Sequence, residues 1–242
     1  MSSGPFWRAL LDFFLPPRCP FCGRLLAPPA GEGPCASCLS GIRFFSSPRC
    51  PRCGIGYSSP FQEDHLCSRC LSGEWTFGQA RALGPYEGMI SEAISRLKFG
   101  GAEHLANPLG SLLAECAGRE FSPSTVDLIL PVPLHPKRLR ERGFNQSLLL
   151  ARRVSKRRSI ALDFTALRRT RPTQPQTRLS GAERRKNVRG AFEVKHPGAV
   201  AGRKILLIDD VFTTGATLQE CTETLLDAGA KEVHALTLAR VL

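Results

Sequence analysis

The chain has 242 residues, room for one ordinary domain and a smaller one. Hydrophobic residues make up 42% and charged residues 22%, as in a folded globular protein, and no apolar run approaches the ~20 residues that span a bilayer. The formal charge of +12 is concentrated: residues 137–189 hold 17 Lys and Arg against the acids Glu141, Asp163 and Glu183, a local balance of +14. Such a block suits a polyanion, whether pyrophosphate, a nucleotide or a nucleic-acid backbone; a solvated basic face is the plainer alternative.

Residues 6–15 form an amphipathic stretch that contains Arg8 and Asp12 and runs into Pro16 and Pro17. With no small-residue cleavage pattern, it is expected to be a short helix packed on the protein, with membrane-surface contact as the alternative; the expected compartment is the cytoplasm.

Eight of the ten cysteines then fall in four pairs with two residues between partners: Cys19/Cys22, Cys35/Cys38, Cys50/Cys53 and Cys67/Cys70. Each such turn aims two thiolates at one metal, and two turns complete a tetrahedral shell for Zn²⁺. In a reducing compartment, disulfides are disfavoured. The simplest pairing is sequential, with one zinc on Cys19, Cys22, Cys35 and Cys38 and another on Cys50, Cys53, Cys67 and Cys70. A cross-braced pairing, first with third and second with fourth, also satisfies the spacing. All eight ligands are thiolates with no open position, so both sites are expected to be structural. The surrounding sequence is rich in Pro and Gly and cannot build much core, so metal is expected to supply the folding energy of residues 1–75. Cys116 and Cys221 stand apart as expected small buried side chains on helices.

From residue 76 the pattern is that of alternating strands and helices. A strand is expected at 79–86, then a helix at 88–99 with Ile90, Ile94 and Leu97 on one face, and a second helix at 103–119. The apolar run at 126–133 predicts a buried strand that enters a proline-rich turn, followed by a helix at 147–156. Ligands of an open α/β sheet bind beyond the carboxyl ends of its strands, which is where residues 133–146 fall. Lys137 and Arg138 are the basic candidates for contact with an anionic ligand there; Arg142, Lys98 and Gln146 are weaker ones. His135 is a candidate general acid or, more plainly, a hydrogen-bonding loop residue. The stretch at 167–180 lacks any period, and about 168–190 is expected to be a flexible basic flap that closes over a ligand and excludes water, or else an ordinary loop.

The most informative stretch comes last. Ile205 to Ile208 form an apolar strand that meets two adjacent carboxylates, Asp209 and Asp210; a small-residue loop follows, Thr213, Thr214, Gly215, Ala216 and Thr217, and then a helix to about 228 and a strand at 232–240. Free N–H groups and the positive end of the helix dipole make such a loop an anion site, while adjacent carboxylates suit hydroxyls. A ribose phosphate carries both groups.

That order of residues resembles the PRPP-binding motif of type I phosphoribosyltransferases. The resemblance implies that Asp209 and Asp210 hold the ribose hydroxyls, that Thr213, Thr214, Gly215, Ala216 and Thr217 wrap the 5′-phosphate, that residues 133–137 are the pyrophosphate loop, with Lys137 and Arg138 near the pyrophosphate, and that Mg²⁺ rides on the pyrophosphate. The wider pattern joins the cysteine pairs to Tyr86, Lys98 and Phe99, to Pro131, Val132 and Pro133, to the run from Arg142 to Gln146, to Thr170, Gln174, Leu179, Arg184 and Asn187, and to the acid pair. Over about residues 10–240 this resembles the ComF family of double-zinc-ribbon, phosphoribosyltransferase-like proteins. The implied fold is an α/β parallel sheet flanked by helices over 76–242, carrying a small N-terminal double zinc ribbon over 1–75. The implied activity is transfer of phosphoribosyl to an acceptor with release of pyrophosphate, linked in some members to DNA uptake and competence-machinery proteins. Purine-salvage members of the superfamily carry Asp where this chain has Thr213, which argues against a hypoxanthine/guanine transferase; no alternative base is evident. The second reading is a non-catalytic PRPP or nucleotide sensor that binds single-stranded DNA through the basic block, with Phe144, Phe164 and Phe192 as stacking candidates.

Overall fold

The computed structural model describes residues 16–27, 33–57, 63–172 and 181–242. The expected helix at 6–15 and residues 173–180 of the expected flap lie outside the described residues. Five strands, β1 (Ala80–Pro85), β2 (Leu128–Pro131), β3 (Ala161–Leu162), β6 (Lys204–Phe212) and β7 (Glu232–Arg240), make a wholly parallel sheet in the order β1-β7-β6-β2-β3. Parallel strands need crossover helices, which cover both faces, so the strands are apolar on both sides. Alternation along β6 shows the period of two: Leu206 and Ile208 enter one core, Ile205 and Leu207 the other.

On the first face pack α3 (Gly88–Phe99), α4 (Ala106–Glu120) and α6 (Gln146–Arg158); on the second packs α9 (Ala216–Asp227). Helix α3 has its expected bounds, with Ile90, Ile94 and Leu97 buried. The second expected helix opens with a 3₁₀ turn at Glu103–Leu105 before α4. Cys116 and Cys221 are buried on α4 and α9. Glu120, near the end of α4, accepts from Arg49 at 2.9 Å and from Arg81 at 2.7 Å, tying cysteine module, strand and helix together.

The cysteine segments are short knuckles closed by isolated bridges, Arg18 to Leu25 and Arg49 to Gly56, and by the short helices α1 (Ala36–Ser40) and α2 (Ser68–Leu71). They are built into the sheet's two cores: Cys19, Phe21, Cys38 and Ile42 join the first, and Cys50, Cys53, Cys70, Trp75 and Phe77 the second.

Three features differ from expectation. Residues after Pro133 fold into a helix, α5 (Pro136–Arg142), started by Pro136 at its first position and capped by His135, whose Nδ1 accepts from the Lys137 N–H. The aperiodic stretch starts with β4 (Leu167–Arg169), which pairs antiparallel with β5 (Phe192–Val194), and α7 (Gly181–Val188) follows the undescribed residues. The acid pair does not end its strand, because β6 runs on to Phe212. A four-residue helix, α8 (Pro197–Val200), completes the elements. Among the described residues no helix is long and apolar enough to cross a membrane.

Candidate functional site

β7 accompanies β6 to its end, with Phe212 opposite Arg240, but β2 registers with it only as far as Pro131 opposite Ile208. Residues 209–212 therefore overhang β2, and the space left is a cleft of about 730 Å³ at the carboxyl ends of the strands. The acid pair stands in it. Successive strand residues face opposite sides, so the two carboxylates meet different neighbours. Asp209 is half-buried, and its Oδ1 accepts from the Ser147 hydroxyl at 2.9 Å and from the Asp210 N–H at 2.9 Å. Removal from water and the adjacent Asp210 charge push its carboxyl up to about 7, against the pull of Lys98. Asp210 is 4% exposed; its Oδ1 lies 2.9 Å from Lys98 Nζ, while its buried Oδ2 has no hydrogen-bond partner among the described residues. A buried carboxylate oxygen left without a donor is expensive unless a ligand hydroxyl or cation completes it.

The loop beyond the strand reverses the chain at Gly215, the N-cap of α9, whose φ of +80° favours glycine. Space requires glycine too: a Cβ there would overlap the Trp75 ring and stand 2.6 Å from the Phe212 ring. Thr213, Gly215 and Thr217 line the cleft; Thr214 Oγ1 accepts from the Ala216 N–H, and Ala216 is buried. Helix N-termini present unpaired backbone N–H groups to anions, and α9 begins at this loop.

The facing wall is basic. Lys98, Lys137, Arg138, Arg142 and Gln146 all line the cleft with the acid pair. Arg142 Nη1 donates to Gln146 Oε1 at 2.6 Å, and its guanidinium lies 5.4 Å from the Phe99 ring, which is 74% exposed at the mouth. Asn145 caps α6, accepting from the Ser147 N–H and donating to the Val132 carbonyl, which fixes Ser147 beside Asp209. Sequence reasoning missed Ser147, an ordinary serine in a helix's first turn whose partner lies 62 residues on. The flap strand also contributes, through Arg169.

The cysteines form two tetrads, Cys19 with Cys22, Cys35 and Cys38, and Cys50 with Cys53, Cys67 and Cys70, the ligand atoms of each within 4.8 Å of one another. The pairing is thus sequential, not cross-braced. Sulfur separations are 3.8 Å for Cys19–Cys38 and Cys22–Cys35, 3.5 Å for Cys50–Cys70 and 3.6 Å for Cys53–Cys67. Four sulfurs each about 2.3 Å from a central zinc stand about 3.8 Å apart, so the residues fit the metal. Burial pushes the Cys19 and Cys50 thiols up, but backbone N–H groups, led by those of Cys22 and Cys53, hold them down at about 6; Cys38 and Cys70 are driven up by burial and by neighbouring thiols. Four crowded thiols of this kind are stabilised together by a cation.

Residues 10–71 match the double zinc ribbon domain and residues 145–242 the phosphoribosyl transferase domain. The DNA utilization protein YhgH of Escherichia coli (strain K12) is 36% identical over 187 residues, 76% of this chain and 82% of that protein. Competence protein F of Haemophilus influenzae is 32% identical over 178 residues, 72% of this chain and 78% of that one. Competence protein ComFC of Bacillus subtilis is 33% identical, covering 67% of this chain and 64% of that protein. Among solved structures, the glutamine phosphoribosylpyrophosphate amidotransferase of B. subtilis complexed with ADP and GMP is 23% identical, with a TM-score of 0.37 over 55% of this chain and 25% of that one. The parallel sheet and the two cysteine tetrads define a phosphoribosyltransferase-domain protein carrying a double zinc ribbon. With relatives this similar over most of their length, the chain belongs to the ComF family.

Proposed function

We propose that the cleft binds PRPP with Mg²⁺ and that the protein transfers its phosphoribosyl group to an acceptor, releasing pyrophosphate. The observation that carries this reading is the buried Asp210 Oδ2 without a donor, set beside Asp209 at the foot of the Thr213–Thr217 loop. In this reading residues 1–75 are the metal-held unit and residues 76–242 the phosphoribosyl unit. Asp209 and Asp210 take the ribose hydroxyls, and the loop N–H groups and threonines take the 5′-phosphate. The pyrophosphate, with its Mg²⁺, points at Lys137, Arg138 and Arg142. As the acceptor's lone pair approaches C1 of the ribose, the bond to the pyrophosphate oxygen breaks and charge grows on the leaving group, where the basic wall stabilises it. A steady-state assay of pyrophosphate release across bases and amines tests transfer directly: acceptor-dependent release supports it, and PRPP bound without release for any acceptor removes it.

A second reading has an observation of its own. Beside the cleft runs a groove of about 880 Å³ lined by Leu149, Phe164, Arg152, Arg168 and Lys195. Phe164 is 54% exposed, with the Arg152 guanidinium 5.8 Å from its ring. An exposed ring among cations suits single-stranded nucleic acid, and one relative is named a DNA utilization protein. Oligonucleotide binding with a steep salt dependence, lost in Phe164→Ala, supports this reading; binding unchanged by that substitution contradicts it.

A further inference from the structure

The second cysteine module does more than fold itself. Arg69, on α2 between the ligands Cys67 and Cys70, donates from Nη2 to the Thr214 carbonyl at 3.2 Å, reaching across 145 residues to the phosphate loop. Its guanidinium is fixed by Glu74 at 2.6 and 2.7 Å and lies 4.5 Å from the centre of the Trp75 ring. Trp75 stacks on Phe77, meets Phe212 edge-on, and is the surface against which the Gly215 backbone lies. Arg52, between Cys50 and Cys53, donates to the carbonyls of Trp75 and Phe77. Arg240, 4.0 Å from the Phe212 ring, donates to the Cys53 carbonyl. The first module, by contrast, is tied to α3, where Arg96 donates to the Phe21 carbonyl at 2.6 Å.

We propose that Arg69 and Trp75 are positioning residues through which the second cysteine module holds the Thr213–Gly215 loop in its ligand-ready shape, so that metal in that module governs phosphate binding. The coupling rests, for its functional meaning, on the loop being the 5′-phosphate site; the coupling itself does not. A four-residue helix has too few internal hydrogen bonds to keep Arg69 in place by itself, so its position follows from the thiolates on either side. The indole plate then excludes water from one side of the loop and the guanidinium satisfies one of its carbonyls.

The test is hydrogen–deuterium exchange of the full-length, zinc-loaded chain, with zinc content measured on each variant. Arg69→Ala is expected to speed exchange at residues 213–218 by about tenfold, the loss of one charged hydrogen bond. Arg69→Lys is expected to restore part of the protection, and Arg96→Ala, the contact of the first module, to leave the loop as in wild type. Trp75→Phe, which keeps all eight cysteines and Arg69, is expected to loosen the loop as well. Loop exchange unchanged in Arg69→Ala and Trp75→Phe, both at wild-type zinc content, overturns the proposal. In parallel, the PRPP dissociation constant is expected to rise about tenfold in Arg69→Ala. A wild type that fails to bind PRPP removes the phosphoribosyl reading, yet the exchange comparison still decides the coupling.

Discussion

Replacing Lys98 with methionine keeps the length of the side chain and removes the ammonium beside the acid pair. Lys98 Nζ stands 2.9 Å from Asp210 Oδ1, with the two side chains 19% and 6% exposed. At an effective dielectric of about 20, charges at that distance attract by roughly 6 kcal/mol before desolvation is counted. Lysine no longer has to be desolvated in the variant, so the net loss is about 3 kcal/mol, the low end for breaking a buried pair. For a chain of this size that lowers the melting temperature by about 5–10 °C. The loss depends on pH through Asp209. Its folded pKa of about 7 lies above the ordinary aspartate value of 3.8, so the stability it contributes falls as pH rises between those values. At pH 6 Asp209 is largely protonated, and only the Asp210 pair is lost. At pH 8 Asp209 is charged and it too loses the cation. Thermal unfolding of Lys98→Met and wild type at pH 6 and pH 8 should therefore show the larger gap at pH 8. Equal gaps at the two pH values, or a shift under about 2 °C at both, would mean that Lys98 does not neutralise the acid pair.

Gly215→Ala should destabilise the fold by about 2 kcal/mol or more, because the new methyl meets Trp75 and Phe212 at a φ of +80°; a melting curve like that of wild type would contradict it. Glu120→Gln leaves Arg49 and Arg81 facing a neutral amide and should cost about 3 kcal/mol at pH 7. Burial opposes the Glu120 charge, but the two arginines hold its carboxyl below the usual range, so its contribution is present at neutral pH and fades as pH falls through the folded value. The denaturation gap between variant and wild type should therefore close in acid. Chelation of zinc should lower the melting temperature of the sheet as well as of residues 19–70, since cysteines of both modules lie in the two cores; a sheet that melts unchanged after complete metal removal, followed by far-ultraviolet dichroism, would be evidence against this.

The acid pair and its loop were legible because strand, carboxylates, small residues and helix follow one another locally, and the bounds of α3 and β7 match expectation for the same reason. Cysteine spacing revealed the tetrads but left their pairing to the three-dimensional structure, because both pairings satisfy the same turns. Helix α5 was hidden by prolines and by a run of basic residues with no apolar face: none of its residues is buried. The β4–β5 pair was illegible because three-residue strands carry too little alternation, and their partners lie about 25 residues apart. Ser147 and Arg69 act through contacts 62 and 145 residues away, which no local pattern encodes.

Calorimetric titration of PRPP with Mg²⁺ into the zinc-loaded wild type and into Asp209→Asn/Asp210→Asn decides whether the cleft holds a ribose phosphate. Binding in the wild type, weakened at least about 100-fold in a variant that still melts cooperatively, is the predicted result, as each ribose hydroxyl loses a charged acceptor. Equal affinity in the two proteins, or no heat in either, would contradict the assignment of the cleft to a ribose phosphate.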